Sequence, residues 1–285
     1  MAAVVLWPQR QPRGGVHLYL SLLLGAVDII ANFTAVRNKS GAAKKVGGLF
    51  PNDADGNPWG DPALGLPGPL AAQRFELVDP GRYQPLNNDF TSQIAAFRDA
   101  GCEIVTGVMI LPDFATFWAQ AAQQGFNPKV ATISKALLFP SSVDALGDRA
   151  DGLTSAVWWT PGYPFASSLT GQSARELGDS YVAASGKPWT ATLGFAPAIF
   201  EVALDVVKRA ADLDNKAAIM AAIAATDLNT IVGPVNWANG PMKNVTKTKV
   251  AGGQWQRKGG KLELAMVNHD QSPDIPLTGE LKLLG

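Results

Sequence analysis

The chain has 285 residues, of which 47% are hydrophobic and 17% are charged, and its formal net charge is zero. This length suits one large domain or two lobes, and the apolar fraction is sufficient for a sizeable core. The charge balance argues against nucleic acid as a main partner, because phosphate binding needs an excess of Lys and Arg. One cysteine excludes an internal disulfide, and two histidines leave little room for histidine catalysis or a multi-histidine metal site.

Residues 1–27 form an apolar leader whose status the sequence leaves open. Arg10 and Arg13 precede an apolar run at 15–27, an arrangement that resembles a secretory signal. The run is too short to span a bilayer comfortably, and no clean small-x-small cleavage site follows it. A buried or irregular apolar segment is the alternative interpretation.

Regular periodicity begins at Asp28. Helices are predicted at residues 28–36, 89–100, 113–124 and 142–146. Strands are predicted at residues 46–50, 75–78, 103–108, 129–133 and 152–158. Asp113 is the expected N-cap of its helix, and Gly125 the expected end. Apolar strands that alternate with helices predict an α/β fold with a doubly wound parallel sheet, so residues 28–158 are expected to form a complete α/β lobe.

The pattern changes after Trp159. Helices are predicted at residues 174–185, 193–210 and 215–226, and short strands at 230–237, 247–255 and 262–267. We expect residues 159–252 to form the helical part of a second, partial lobe with crossing strands, and residues 253–285 to hold C-terminal strands and an irregular tail. The run WWTPGYP at 158–164 is the expected crossing between the lobes.

The run KKVGGLFPNDADGNPWGDP, residues 44–62, joins an apolar strand to a loop of turn residues, carboxylates and one tryptophan. A metal loop, a phosphate loop, a surface turn and one wall of a ligand cleft are the interpretations to compare. The run contains neither GxGxxG nor GK[ST], and its carboxylates would repel phosphate. These residues therefore argue against a phosphate loop.

The metal interpretation depends on Asp53, Asp55 and Asn57, which have the spacing of the first three ligands of an EF-hand loop. The sixth position would be Pro58, where a glycine is needed for the sharp turn. The twelfth would be Leu64, where a bidentate glutamate is needed. We therefore expect no metal site in this loop.

No group of residues in the sequence assembles a reaction. The nucleophile motif GxSxG is absent, and His17 and His269 lie near opposite ends of the chain, so no Ser-His-Asp set is plausible. The carboxylate pair of Asp53 and Asp55 is typical of a solvated turn. We therefore expect no enzymatic activity and no cofactor.

A binding cleft is favoured at the carboxyl ends of the predicted strands, where doubly wound sheets hold their ligands. The loops expected there are residues 51–60, 109–113 and 134–139. The side chains that these loops present are Trp59, Ile110, Leu111 and Lys135. An apolar wall with one isolated cation suits a small ligand with a negative group. The alternatives are that Trp59 packs over its own loop and that Lys135 is a solvated surface residue.

Several segments carry a resemblance to a known family. They are KVGGLFPNDADGNPWGD, LVDPGRYQPLNNDFTSQIAAFRDAGCEIVTGV, FWAQAAQQGF, TLGFAPAIFEVALDVVKRA and TIVGPVNW. From Asp28 to Met266 the chain resembles the type I solute-binding proteins of ABC importers, and more narrowly their branched-chain amino-acid (Leu/Ile/Val) binding group. The resemblance implies two α/β lobes joined by a hinge, with a small solute between them. It also implies a non-catalytic role in the periplasm and an ABC permease in the membrane as partner.

The same resemblance implies a set of site residues. In the family, the loops after the first, third and fourth strands of this lobe line the cleft, and the helix after the crossing often begins with an aromatic residue. The ligand-binding residues implied for this chain are Asp53, Asp55, Trp59, Ile110, Leu111, Lys135 and Phe195.

Two departures from the family qualify this expectation. Lys135 stands where the family keeps an acid for an amino-acid ammonium, which favours an organic acid over a plain α-amino acid. The family also has an opening lobe segment before the part that matches Asp28, so we expect this chain to be a fragment or a truncated gene product. A ligand-sensing regulatory domain of the same fold and a doubly wound enzyme are the hypotheses from other classes.

Overall fold

The computed structural model describes residues 2–5, 44–63, 65–238, 245–270 and 272–285. The apolar run at 15–27 and the helix predicted at 28–36 lie outside these residues, as does Leu64. The chain divides into two compact units. The sheet unit contains described residues 44–157, 251–270 and 277–285, and the helical unit contains 2–5, 158–250 and 272–276. The boundary at Trp158 falls in the WWTPGYP run.

The strands are β1 Ala2–Val5, β2 Lys45–Leu49, β3 Glu76–Val78, β4 Ile104–Met109, β5 Val130–Lys135, β6 Thr154–Val157, β7 Asp227–Thr230, β8 Gly233–Asn236, β9 Val245–Thr248, β10 Ala251–Lys258 and β11 Lys261–Asn268. The helices are α1 Gly56–Trp59, α2 Pro67–Ala72, α3 Thr91–Ala100, α4 Leu111–Gln123, α5 Pro140–Asp144, α6 Ala174–Ser185, α7 Phe195–Arg209 and α8 Lys216–Ala224, with a 3₁₀ turn at Gly147–Ala150. None of the helices among the described residues has the length and apolar character needed to cross a membrane.

The sheet unit is built on a seven-stranded sheet with the order β11-β10-β6-β5-β4-β2-β3. Strands β3, β2, β4, β5 and β6 pair in parallel, and β10 and β11 add an antiparallel edge. Strand β2 pairs with β3 on one side and with β4 on the other, so the strand order reverses at β2. The predicted α/β fold with a doubly wound parallel sheet is confirmed, and the antiparallel edge of β10 and β11 is an addition to it.

An aromatic cluster packs on one face of this sheet. Phe90, Phe97, Phe114 and Phe117 are fully buried, and Phe90 and Phe117 meet edge to face with ring centroids 5.8 Å apart. Burial of one such side chain contributes about 1.5–3 kcal/mol. Gly47 permits the close approach of α3, because a Cβ there would lie 2.7 Å from Phe97 Cδ1. The cluster thus fixes α3 and α4 against the strands that carry the loops of the carboxyl edge.

The predicted helix at 113–124 begins earlier than expected, at Leu111, and its N-cap is Ile110. The prediction that Asp113 is the N-cap was therefore wrong. Pro112 accounts for the difference, because proline lacks the N–H that the first turn of a helix leaves unpaired and its fixed φ suits that turn. Asp113 falls inside the first turn, where its carboxyl group is buried.

Two predicted strands are interrupted in the structure. The strand predicted at 230–237 covers the last residue of β7, a two-residue turn and β8, which pairs with β7 as a hairpin, and Gly233 takes a φ of 109° where β8 begins. The strand predicted at 247–255 is divided between β9, which pairs with β1 in the helical unit, and β10, which joins the large sheet. The other predicted elements of the described chain agree with the structure within two residues at each end.

The described part of the helical unit contains α6, α7 and α8 with two two-stranded sheets, β1–β9 and β7–β8. Helix α6 opens with a capping box in which Ser173 and Glu176 satisfy each other's backbone N–H groups. Asn215 caps α8 by accepting hydrogen bonds from the backbone N–H groups of Ala217 and Ala218. Helix α7 leaves three large apolar side chains exposed, those of Phe200, Leu204 and Val207.

Candidate functional site

The parallel strands β2, β4 and β5 end at one edge of the sheet. Leu49 of β2 lies beside Gly107, and Met109 of β4 lies beside Lys135 of β5, so the segments that follow these strands emerge together. The strand order reverses between β2 and β4, so the connections from their ends leave in opposite directions. A crevice at such a reversal is where open α/β sheets bind ligands. We call this region the carboxyl edge.

Asp53 organises the loop after β2. Its Oδ1 accepts hydrogen bonds from the backbone N–H groups of Asp55, at 2.9 Å, and Gly56, at 2.7 Å. These bonds turn the chain into the short helix α1, as Asx side chains commonly do at turns. Gly56 is required there, because a Cβ at this position would lie 2.0 Å from the carbonyl oxygen of Pro51. One oxygen of the Asp53 carboxylate is therefore used to fold its own loop.

Apolar side chains flank this loop at the carboxyl edge. Trp59, the last residue of α1, is partly exposed. Its carbonyl oxygen accepts a hydrogen bond from the backbone N–H of Leu66 at 2.8 Å, which ties the end of α1 to the following segment. Ile110 and Leu111, at the start of α4, are also partly exposed. These three side chains supply apolar surface next to polar groups.

Lys135 is not the isolated cation that the sequence suggested. Its Nζ forms an ion pair with Oδ2 of Asp55, and the two side chains are 39% and 49% exposed. Lys135 ends β5 with a φ of 66°, in the left-handed region that residues other than glycine rarely adopt. This backbone conformation and the Asp55 carboxylate account for the position of the ammonium group. The cation is balanced by an acid that also belongs to the predicted site.

Two buried polar residues at the same edge were missed by sequence reasoning. Asp113, in the first turn of α4, is 1% exposed, and Tyr83 is 4% exposed. Tyr83 forms a parallel bridge with Pro51, so its backbone runs beside the start of the loop after β2. The sequence contained one signal for Asp113, an acid within the apolar run ILPDFATF. An acid among apolar residues directly after a buried strand is a candidate for a functional carboxyl group.

Burial perturbs the pKa values of both groups. Burial raises the pKa of the Asp113 carboxyl above its usual range, and the nearby Asp53 charge raises it further. The N–H groups of Leu86 and Asn87 and the Tyr83 hydroxyl lower the same pKa, because they favour the charged carboxylate. Burial likewise raises the pKa of Tyr83, with smaller contributions from the two acids. The perturbed pKa values point to this corner of the carboxyl edge as a candidate site.

Phe195 belongs to the helical unit, where it is the first residue of α7 and is 3% exposed. Its neighbour Gly194 lies against the indole ring of Trp159, so closely that a Cβ on Gly194 would be 2.2 Å from Trp159 Cδ1. Trp159 in turn meets Trp189 edge to face, with centroids 6.2 Å apart. The start of α7 thus lies in an aromatic cluster of its own unit.

Across the described residues, no group of three or more His, Cys, Asp or Glu side chains is arranged to hold a metal ion.

A family model described as periplasmic binding protein matches residues 33–261 of the chain. Among curated proteins, none matches the sequence. The architecture is similar to that of the leucine-binding protein LivK from Thermotoga maritima, with a TM-score of 0.67 at 16% identity over 87% of this chain and 67% of that one.

Similar structures also include two ABC transporter solute-binding proteins from R. palustris. One, in complex with 4-hydroxybenzoate, has a TM-score of 0.65 at 14% identity over 86% of this chain and 64% of that one. The other, in complex with benzoate, has a TM-score of 0.60 at 17% identity over 90% of this chain and 65% of that one.

This chain spans about two thirds of the length of each of these proteins. The family match covers most of the chain, and the mostly parallel sheet agrees with the type I fold of the similar structures. The chain therefore belongs to the periplasmic binding protein family.

Proposed function

We propose that this chain is the solute-binding component, or part of one, of an ABC importer. It captures a small organic solute in the periplasm and presents it to a permease in the membrane. Two observations support the proposal. The first is that the chain belongs to the periplasmic binding protein family. The second is that the strand order reverses at the carboxyl edge and that partly exposed apolar side chains line this edge. The second observation carries it, because it supplies the place where a solute would be held.

We propose that the solute is an organic acid with an aromatic or apolar body. Trp59, Ile110 and Leu111 offer apolar surface to such a body, and the Lys135 ammonium retains N–H donors beyond the one directed at Asp55. A solute carboxylate can accept from Lys135, while the half-exposed Asp55 carboxylate can accept from a solute hydroxyl. The aromatic acids bound by two similar proteins support this class, and the leucine-binding protein is the precedent for an amino acid instead.

The remaining predicted contacts have unequal support within this proposal. Asp53 keeps one carboxylate oxygen that accepts no hydrogen bond from its own loop, so it can contribute to the site as well as shape it. Phe195 has weaker support as a ligand contact, since its side chain is buried in the helical unit; it is included because it is the aromatic residue that begins α7.

The test is a thermal-shift and calorimetric comparison of the 285-residue chain with 4-hydroxybenzoate, benzoate and L-leucine. The matched variants are Lys135→Gln and Lys129→Gln, since Lys129 is a 42%-exposed lysine that pairs with Glu103 on the same sheet unit. We expect the benzoates to raise the melting temperature of the unmutated chain and of Lys129→Gln, and to lose most of this effect in Lys135→Gln.

Two outcomes would count against the proposal. If none of the three probes binds, the solute-binding role at this edge loses its support. If L-leucine binds tightly and Lys135→Gln leaves that affinity unchanged, the organic-acid assignment is wrong while the solute-binding role stands.

A further inference from the structure

Asp113 is a buried acid whose two carboxylate oxygens both lack a hydrogen-bond partner within the described part of the chain. An ionised carboxylate without partners is costly to bury, and such a group usually responds by a raised pKa. This unfavourable group lies at the carboxyl edge, beside the proposed solute site. Natural proteins keep such groups mainly at functional or strained sites, which points to a functional role for the Asp113 carboxylate.

The surroundings of Asp113 are polar groups that approach it without completing a hydrogen bond. The backbone N–H groups of Leu86 and Asn87 and the hydroxyl of Tyr83 all favour its charged form. The Tyr83 hydroxyl is itself buried and has no partner of hydrogen-bonding geometry among the described residues. Leu86 takes a φ of 63° and leaves its side chain 72% exposed, so the 86–87 turn is held in an unfavourable conformation for a leucine.

Asp113 lies between two segments of the carboxyl edge, the loop after β2 (residues 51–60) and the start of α4 (Ile110 and Leu111), which we call its two walls. Its helix, α4, begins at Leu111, directly after Ile110. Tyr83 is bonded through its backbone to the loop after β2: Asn52 N–H donates to its carbonyl oxygen at 2.7 Å, and its own N–H donates to the carbonyl oxygen of Phe50 at 3.3 Å. The attraction between the Asp113 carboxylate and the Tyr83 hydroxyl therefore couples the loop after β2 to the start of α4.

We propose that Asp113 is a positioning residue of the solute site. Its carboxylate holds Tyr83 and the 86–87 turn, and through Tyr83 it sets the distance of the loop after β2 from Ile110 and Leu111. The assignment rests on the proposed function only in naming the region a solute site. The coupling of the two walls is a property of the chain without solute and can be tested separately.

The coupling depends on pH in a direction that the structure fixes. Among the described residues, Tyr83 and Asp53 are the ionisable groups that act on Asp113. Because burial holds the pKa of Asp113 above its unfolded value, the native state takes up this proton first as the pH falls. The charged form, which attracts the two N–H groups and the hydroxyl, is therefore lost as the pH falls through the raised pKa. The loop after β2 should loosen in the same pH window.

Hydrogen exchange of the unliganded 285-residue chain tests the proposal. The variants are Asp113→Asn and, as a matched control, Asp99→Asn, whose carboxylate is 73% exposed and pairs with the neighbouring Arg98. In Asp113→Asn we expect amides of residues 51–60 and 83–87 to exchange about tenfold faster or more, because the attraction of the buried charge for the two N–H groups and the hydroxyl is lost. The melting temperature at neutral pH should be equal or higher, because a buried charge has been removed.

Exchange slows intrinsically as the pH falls, so the readout is the protection factor of each amide relative to its intrinsic rate. In the unmutated chain the protection factors of residues 51–60 and 83–87 should fall with the pH, and in Asp113→Asn they should not. Tyr83→Phe should move the midpoint of this change to higher pH, because the hydroxyl that lowers the pKa of Asp113 is gone. Unchanged exchange in Asp113→Asn would overturn the proposal. So would faster exchange throughout the chain with a lower melting temperature, since that is the result of a purely structural role.

Binding of 4-hydroxybenzoate then separates this inference from the proposed function. If the unmutated chain and Asp99→Asn bind it, Asp113→Asn should bind about tenfold more weakly or worse. Equal affinity of Asp113→Asn and the unmutated chain would show that Asp113 does not position the site. If the unmutated chain does not bind and the exchange results hold, the proposed function fails and the coupling of the two walls stands.

Discussion

Asp55 and Lys135 form an ion pair across the carboxyl edge, although 80 residues separate them in the sequence. Asp55 is held by the turn that Asp53 organises, and Lys135 is held by the left-handed backbone at the end of β5. The pair therefore joins the loop after β2 to the end of β5, across the intervening strand β4. Its two charges balance, so the proposed solute would meet a donor and an acceptor together.

A double-mutant cycle on this pair should give a small coupling energy. Asp55→Ala and Lys135→Ala remove one partner each, and both side chains are well exposed, so solvent screens most of the attraction. We expect a coupling energy of about 0.2–1 kcal/mol from chemical denaturation of the two single variants and the double variant. A coupling above about 3 kcal/mol would mean that the pair is buried in solution, contrary to the structure.

Replacement of Asp53 should destabilise the fold through its loop. Asp53→Ala removes the acceptor of two backbone hydrogen bonds, and the expected loss of unfolding free energy is about 0.5–2 kcal/mol, as for other lost side-chain caps. Asp53→Ser keeps an acceptor at this position and should retain most of the stability. Equal losses in the two variants, measured by urea denaturation, would contradict a capping role.

Calcium should not stabilise the chain through the loop after β2. Asp53 Oδ1 already accepts two backbone hydrogen bonds, and Asp55 is paired with Lys135, so the first acids of the EF-hand-like spacing are engaged. The sequence also places Pro58 where such a loop requires glycine. We expect no change in melting temperature with calcium at about millimolar concentration, well above the affinity of most calcium loops. A rise of several degrees that EDTA reverses would show that the prediction is wrong.

The sequence predicted most of the architecture because the determining signals are local. Apolar runs of strand length and helices with apolar faces placed β2 to β6 and α3 to α8 close to their observed bounds. The short helices α1 and α2 were not predicted, and two further errors arose where one or two residues change the local structure. Pro112 starts α4 early, and the turn before Gly233 separates β7 from β8.

The polar chemistry of the site could not be read from the sequence in the same way. Contact between Asp55 and Lys135 depends on strand register and on the left-handed backbone of Lys135, neither of which a residue pattern reports. The residue pattern therefore predicts Lys135 to be an isolated cation. It also predicts Asp113 to be a helix cap, and only the true start of α4 shows that its carboxyl is buried beside Tyr83.

Close packing of α3 on the sheet predicts a sharp difference between two glycines. A Cβ at Gly47 would lie 2.7 Å from the ring of Phe97, whereas a Cβ at Gly162 would meet Pro276 Cγ at 3.5 Å, an ordinary van der Waals contact. Gly47→Ala should therefore cost about 1–3 kcal/mol through overpacking. Gly162→Ala should be neutral or stabilise by about 0.4–1 kcal/mol, because alanine has less conformational entropy to lose on folding. Thermal denaturation of both variants decides the point, and equal effects would contradict the packing described.

The isolated chain should associate through helix α7. Phe200, Leu204 and Val207 are 65%, 43% and 48% exposed, and their spacing of four and three residues places them on one face of the helix. An exposed apolar stripe of this kind favours association. Size-exclusion chromatography of the 285-residue chain should show concentration-dependent oligomers, and the double variant Phe200→Gln/Leu204→Gln should shift them towards monomer at an unchanged melting temperature. Leu277→Gln, at a 49%-exposed leucine in the C-terminal segment, is the matched control and should leave the profile as it is. A sharp monomer peak with cooperative melting of the unmutated chain at all concentrations would show that this face does not drive association.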